Sequence, residues 1–506
     1  MRRLLLAIVA ALGSALFLLG CGNGSIGFGQ DGGADADLDA TAAGDHQFNL
    51  GDGAAGDGGC VNLQCQQTCA STSISGTVYD PAGKVGLYNV FVYVPNTALD
   101  PIPDGPTCTA CQAPASGNPV VSATTDANGK FTIPQAPDGQ NIPIVLQLGK
   151  WRRHLTIANV TKCVDNPQPD GSLRLARKQH ESSPDDNIPL IAMTTGCDAA
   201  ECFFMSRIGI DPSEFTGSNG TGRVRVYKSA DDDGQTFSGI KSGALTATQL
   251  WNNAGEMLKY DIVFDACECN TFTRGTNGYK NILGYLNAGG RAFATHYFYN
   301  FFASQTQCGF DATCNGQTPL PTVGAWEANQ GLADSTTACK INSQDFNGLD
   351  ECLNIDTAVP KGKAFADWYA ANNAKIGPTY GGEQYGYVGL TDIRNDMGKL
   401  DANLVNAGTA TPWLYAHGPQ TFPTNYDAYY FSFNTPVGTN TQGQCGRAIF
   451  SDVHLAETPP ADAFPTYCPS DPNMSDHAPN ELALEFLFFD LASCVQNDTQ
   501  APVVPH

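Results

Sequence analysis

The 506-residue chain carries 50 acidic against 27 basic residues, a formal charge of −23 at neutral pH. Nucleic acid is disfavoured as a partner, because neutralising phosphates takes a clustered basic surface; the nearest approach to one, Lys150-Trp151-Arg152-Arg153, is short and reads as a strand end with a solvated face. Eighteen cysteines are too many for a reduced cytosol and predict disulfides in an oxidising compartment.

The chain opens with Arg2 and Arg3, followed by an apolar run from Leu4 to Gly20 that ends in Leu18-Leu19-Gly20-Cys21. A stable spanning helix needs about 20 apolar residues, so this shorter run reads as a signal peptide over residues 1–20. Small residues before a cysteine resemble the lipobox of bacterial lipoproteins. The resemblance implies cleavage before Cys21, palmitate on its thiol, and a lipid anchor in the bacterial outer membrane with the folded domains outside the cytoplasm. Residues 21–58 form an acidic linker: Gly22 to Asp57 is rich in Gly, Ala and Asp, lacks Lys and Arg, and cannot offset its ordering entropy. The roughly 450 residues beyond it suffice for two or three domains.

With Cys21 lipidated, an odd number of cysteines remains, so at least one thiol stays outside the disulfides or is engaged elsewhere. Close spacing suggests local loops among Cys60, Cys65 and Cys69, and pairs Cys108 with Cys111, Cys197 with Cys202, Cys308 with Cys314, Cys339 with Cys352 and Cys445 with Cys468. Connectivity itself is not fixed by sequence. Zinc at Cys108-Thr-Ala-Cys111 would need a second pair at matching spacing, and none is evident.

Residues 59–185 read as a small antiparallel β-sandwich with a cysteine-rich flank. Ile74, Gly76 and Val78 alternate up to the turn Tyr79-Asp80-Pro81-Ala82-Gly83, and Val90, Val92 and Val94 alternate within Tyr88 to Pro95. Val120 to Thr125 and Phe131 to Pro134 flank Asn128-Gly129, a hairpin signal. Ile142 to Leu148 and His154 to Val160 complete the strand set, and strands at this spacing without helices argue for a sandwich. The order Gly76-Thr-Val-Tyr-Asp80, Asn89-Val-Phe-Val92 and Thr125-Asp-Ala-Asn-Gly-Lys-Phe131 resembles the carboxypeptidase regulatory-like domain, whose fold is shared with transthyretin-like and carbohydrate-binding-like modules. That implies a spacer or adhesion role, with carbohydrate as a candidate partner. Tyr93 and Trp151 are the aromatics that could stack on a sugar, or pack on their own sheet.

Residues 186–495 alternate strand and helix, with a tail at 496–506. The expected elements are strands at Asn187–Met193, Arg223–Tyr227, Tyr260–Ala266, Arg291–Thr295 and Cys445–Phe450. Helices are expected at Cys197–Ile208, Ala247–Leu258, Tyr279–Asn287, stopped by Gly289-Gly290, and Asn480–Leu491. Such alternation implies crossovers and a parallel sheet. Tyr260-Asp-Ile-Val-Phe264, Leu286-Asn-Ala-Gly-Gly-Arg-Ala-Phe-Ala-Thr-His296 and Gly446-Arg-Ala-Ile-Phe-Ser-Asp-Val-His454 resemble the class I glutamine amidotransferase-like fold, most of all its ThuA-like branch. The resemblance implies a flavodoxin-like α/β domain; the stretch at about 301–425, which that fold does not require and which holds an expected helix at Lys361–Asn372, reads as a long insertion forming a lid or wall over the sheet's carboxyl edge.

Ligands of parallel sheets gather outside the carboxyl ends of the strands. Those positions are Asp265, Cys267 and Cys269, then His296, then Asp452 and His454, the last two on one side of an extended segment. Ala294-Thr-His-Tyr-Phe298 occupies the turn where an amidotransferase carries its cysteine, so glutamine hydrolysis is not expected. The candidate catalytic residues are therefore His296, Asp452, His454 and Asp265. They could serve acid/base chemistry on a carbohydrate-related substrate or, through His296, Asp452 and His454, a divalent metal. They could equally be polar residues hydrogen-bonded at strand ends in a binding or structural module. No other cofactor is expected, and Cys267 and Cys269 read as disulfide partners of other loops. The run Tyr297 to Phe302 could line a sugar pocket or pack a helix on the sheet. His46, His477 and His506 suit solvated positions.

Overall fold

Alternating apolar residues build two small sheets in the first half of the chain. The strands are β1 (Ser73–Thr77), β2 (Phe91–Pro95), β3 (Pro119–Thr124), β4 (Lys130–Pro134), β5 (Gly139–Leu148), β6 (Trp151–Val160) and β7 (Asp165–Pro167). One sheet runs β4-β1-β7 and the other β3-β2-β5-β6, antiparallel except where β1 meets β7. The computed structural model describes residues 60–108, 111, 114–229, 243–268, 274–302, 323–326, 340–341, 344–345, 351–373, 375, 387–391, 393, 397–415, 428–455, 464–475 and 478–502. The leader with Cys21, the linker to residue 58, Cys269, Cys308, Cys314, Cys339, His46, His477 and His506 lie outside the described residues, as does the side chain of Cys352.

Strand β2 is buried along its whole length because both its faces are covered. Val92 and Val94 enter the core shared with Ile74, Ile133 and Ile144, while Phe91 and Tyr93 face the other way, against Val145, Leu99 and Ala115. The Asn128-Gly129 turn does not make a hairpin: β3 pairs with β2 and β4 with β1, so the turn hands the chain from one sheet to the other. Asp126 Oδ1 accepts the N–H groups of Asn128 (2.8 Å) and Lys130 (2.9 Å), local bonds that set the turn without any strand pairing across it.

The basic run is also not a solvated face. Trp151, Arg152 and Arg153 are buried, and Lys150 Nζ lies 2.6 Å from Asp261 Oδ1. Trp151 donates its indole N–H to the Ala176 carbonyl (2.8 Å) and packs on Phe488 and Phe489, so neither it nor the fully buried Tyr93 offers a stacking surface.

The second half is organised by one ten-stranded mixed sheet. Its strands are β8 (Ile191–Thr194), β9 (Phe215–Gly217), β10 (Val224–Tyr227), β11 (Ile262–Asp265), β12 (Arg291–Thr295), β16 (Glu351–Ile355), β17 (Tyr387–Leu390), β19 (Ala410–Tyr415), β20 (Ala428–Thr435) and β21 (Gly446–Ser451), in the order β17-β16-β19-β20-β21-β12-β11-β8-β10-β9. From β9 to β21 every neighbour is parallel; from β21 to β17 every neighbour is antiparallel. Small pairs join β13 (Gly324–Trp326) to β18 (Met397–Leu400) and β14 (Lys340–Ile341) to β15 (Gln344–Asp345). Of the insertion, β16, β17 and β19 thus extend the sheet's edge, and the two small pairs stand outside that sheet.

Helices are few: α1 (Ala200–Cys202), running on into a π-helical turn Phe203–Ile208, α2 (Ala247–Trp251), α3 (Ala254–Met257), α4 (Gly275–Asn287), α5 (Pro360–Asn373), α6 (Ala402–Asn406) and α7 (Ala478–Ala492). The helix expected over Ala247–Leu258 is two short ones, because Asn253 caps a new start by accepting the Glu256 N–H. No described helix is long and apolar enough to cross a membrane.

Residues 60–506 form one compact unit, and a single apolar cluster runs from the small sheets into β8, β11 and α7. Gly149, in the left-handed region at φ +55°, marks the closeness of that seam: a Cβ there would stand 1.8 Å from the Ala492 carbonyl oxygen. The disulfides follow tertiary proximity. Cys60–Cys65 is local, but Cys69 pairs with Cys163, Cys108 with Cys445, Cys111 with Cys494, and Cys202 with Cys468. The expected pairs Cys108–Cys111, Cys197–Cys202 and Cys445–Cys468 therefore do not form, since spacing along the chain says nothing of which loops fold together.

Buried charges hold the last helix and the tail. Arg447 lies 2.8 Å from Asp490 and 2.7 Å from Asp498, and Lys361 lies 2.7 Å and 2.9 Å from the same carboxylates. Burial pushes the Asp498 carboxyl up, but Arg447 and Lys361 outweigh it and hold it well below the usual range. Asp498→Ala leaves two buried cations short of a partner and should cost about 3–5 kcal/mol in urea denaturation. Asp80 behaves oppositely: burial raises its carboxyl to about 6, against backbone N–H bonds from Lys84 and Val85. Its proton is held more tightly folded than unfolded, so this contribution is full below pH 4 and fades as pH rises through about 6. Urea midpoints of the wild type should fall between pH 4 and 7 relative to those of Asp80→Asn.

Candidate functional site

Four strand ends supply the site. Strand β8 leads to Gly196-Cys197-Asp198, β11 to Ala266-Cys267-Glu268, β12 to His296, and β21 to Asp452-Val453-His454. The first two loops touch: the Cys197 N–H donates to the Cys267 carbonyl (2.7 Å), and a Cβ on residue 196 would stand 2.0 Å from that oxygen. Glycine at 196 is what allows the backbones to approach so closely.

At the end of β12 the chain turns sharply into the 3-10 segment His296–Phe301, with His296 itself at φ +39°. A non-glycine residue there is strained, and such strain gathers at functional positions. The turn resembles a nucleophile elbow in form but presents an imidazole. His296 Nδ1 lies 3.2 Å from Cys267 Sγ and 3.1 Å from His454 Nε2. His454 Nδ1 lies 3.1 Å from Asp198 Oδ1, whose second oxygen accepts the Leu455 N–H (3.3 Å). Asp198 thus fixes the ring of His454 so that its other nitrogen points at His296.

The thiol, both imidazoles and Asp198 are largely out of solvent, with 13% of the His454 side chain exposed. Cys267, His296 and His454 each offer one ligand atom, all within 4.8 Å of one another. A tetrahedral Zn2+ sets N–N edges of about 3.3 Å and N–S edges of about 3.6 Å, so small movements would seat an ion among them. The three residues could hold a metal.

Of the expected site residues, the fold brings His296 and His454 together. Asp452 is fully buried at the end of β21 but is not in the cluster. The Ser451 hydroxyl donates to the Val453 carbonyl (3.1 Å) and accepts its N–H (3.3 Å), a local closure around Asp452. Asp265 also stands apart. Burial raises its carboxyl to about 8, opposed by Arg274 and reinforced by Glu268. Arg274 is ion-paired to Glu268 and lies 4.4 Å, 4.3 Å and 5.2 Å from the ring centres of Trp251, Phe298 and Phe301. The aromatic run after His296 therefore packs around a buried cation, fastening the β11 and β12 loops to each other.

Two site residues differ from expectation. Cys267 keeps its thiol instead of joining a disulfide. Asp198 was not singled out, though its place just after the first strand of the parallel sheet is the signal that could have found it.

Comparison of the sequence with known protein families and with curated proteins gives no match. Two solved type II cohesin–X-dockerin complexes from Acetivibrio cellulolyticus, an N-terminal and a C-terminal interface mutant, align over 30% of this chain. They do so at 13% and 15% identity over 78% and 79% of their own chains, with TM-scores of 0.16 and 0.15. A 9R-lipoxygenase from Cyanothece aligns over 75% of this chain and 42% of its own at 10% identity, with a TM-score of 0.10. Scores this low carry no inference about fold or activity.

Proposed function

We propose that the protein is an exported, lipid-anchored metalloprotein in which Cys267, His296 and His454 bind one divalent ion for chemistry on a carbohydrate-related substrate. The observation that carries this reading is the convergence of three ligand atoms within 4.8 Å, with Asp198 on the far nitrogen of His454. A carboxylate behind a ligating histidine is the usual outer partner of a metal site. Thiolate with imidazole suits zinc, and three protein ligands leave a coordination position for substrate or water. An ion there would polarise a substrate oxygen or generate hydroxide near neutral pH.

The strand order supports a flavodoxin-like reading of the parallel half. With the three-residue edge strand β9 set aside, β8, β10, β11, β12 and β21, numbered along the chain, lie in the order 2-1-3-4-5, and Asp198 and Cys267 follow the two strands at the switch point, where ligands of such sheets bind. The ThuA-like resemblance supplies the substrate class. The burial of His296 favours a second reading, in which the cluster is a hydrogen-bonded polar core of a recognition module that binds carbohydrate without catalysis.

Metal loading separates the two. Disulfide-intact protein should retain one equivalent of Zn2+ after gel filtration and, loaded with Co2+, show a thiolate-to-cobalt charge-transfer band. Cys267→Ser should abolish the band, and Asp198→Asn should weaken zinc binding about 10- to 100-fold. Only trace metal after loading, or a band that survives Cys267→Ser, would rule out the centre. For the anchor, radiolabelled palmitate should enter the wild type and not Cys21→Ser; equal labelling of both refutes lipidation at that residue.

A further inference from the structure

At the other end of the parallel strands from the histidines, a cavity of 330 Å³ opens between the four-stranded small sheet and the starts of β11 and β12. Protein interiors leave few voids larger than a water molecule, and ligand pockets begin at about 300 Å³. Its walls are mainly apolar, with Phe91, Ile102, Pro106, Leu148 and Ile262 among them. Part of the lining comes from the segment between Ile102 and Ser116, which Cys108–Cys445 and Cys111–Cys494 tie to the opposite wall. With that segment tethered twice, the walls are held apart before any ligand arrives.

The lining carries three charged residues, Lys150, Asp261 and Arg291. Lys150 and Asp261 neutralise each other at 2.6 Å. Arg291 is held by carbonyl oxygens alone: Nη1 donates to Gly289 (2.8 Å) and Cys445 (2.7 Å), and Nη2 to Ser493 (3.1 Å). Among the described residues no carboxylate lies within ion-pair distance of it. An apolar cavity whose one cation makes no direct ion pair, with Asp490 and Asp261 acting on it only from farther away, disfavours cationic ligands and favours a single negative charge.

We propose that this cavity binds a small molecule with an apolar, ring-containing body and one anionic group, a carboxylate or sulfonate that answers Arg291. The site is independent of the metal centre and does not rest on it. The probe is 1-anilinonaphthalene-8-sulfonate, set against N-phenyl-1-naphthylamine, which has the same rings without the charge. On disulfide-intact protein the sulfonate should bind at one saturable site, about ten-fold more tightly than the amine. Arg291→Gln should remove that preference without weakening the amine. Ala115→Trp, which fills the cavity from its covering segment, should block both; should it fail to fold by circular dichroism, Thr124→Trp makes the same test from β3. Absence of saturable sulfonate binding, equal affinity for the two probes, or sulfonate binding that survives the filling variant would overturn the proposal.

Discussion

Helix α7 is buried on every side, and the rest of the fold is arranged around answering what it buries. Its apolar residues give it no solvent face, as expected of a helix at the centre of a large core. Its acidic residues cannot reach water either, so each one faces a different segment. Glu481 lies 3.6 Å from Arg207 beside the π-helical turn, Glu485 faces Asp80 from the first half of the chain, and Asp490 is met by Lys361 of α5 and Arg447 of β21. A buried charge without a partner is strongly destabilising, so the contacts with Arg207, Lys361 and Arg447 tie distant regions to one helix; Glu485 and Asp80 are like groups instead, and burial with that repulsion pushes the Glu485 carboxyl well above its usual range.

This arrangement explains why the small sheets do not stand off as an independent body. Trp151 packs against Phe488 and Phe489, the Trp368 indole donates to the Gly86 carbonyl, and two disulfides cross the same seam. A flexible stalk would need few contacts across its boundary. Here the boundary is a continuous apolar core, interrupted by the cavity beside Arg291.

The histidine cluster depends on the same rigidity. Its residues come from the segments after β8, β11, β12 and β21, where the regular strand geometry has ended. Position is imposed by packing: Gly196 lets two loops touch, and Arg274 in its aromatic surround locks two others. A strained His296 at φ +39° persists because its neighbours over-determine it.

Periodicity and turn chemistry placed six strands of the small sheets and five of the large one, but not β7, β9 or β13 to β20. Arg291–Thr295 falls on the residues expected, and α4 stops where Gly289-Gly290 require it. His296 and His454 were readable because they follow apolar runs that could only be strands of one sheet. The partnership of Cys267 and Asp198 was not, nor were the disulfides, the hand-over at Asn128-Gly129 or the burial of Lys150-Trp151-Arg152-Arg153. Local sequence dictates backbone conformation through short-range sterics and hydrogen bonds. Which loops meet, which thiol stays reduced and which charge is buried are decided by long-range packing, and only the folded chain supplies it.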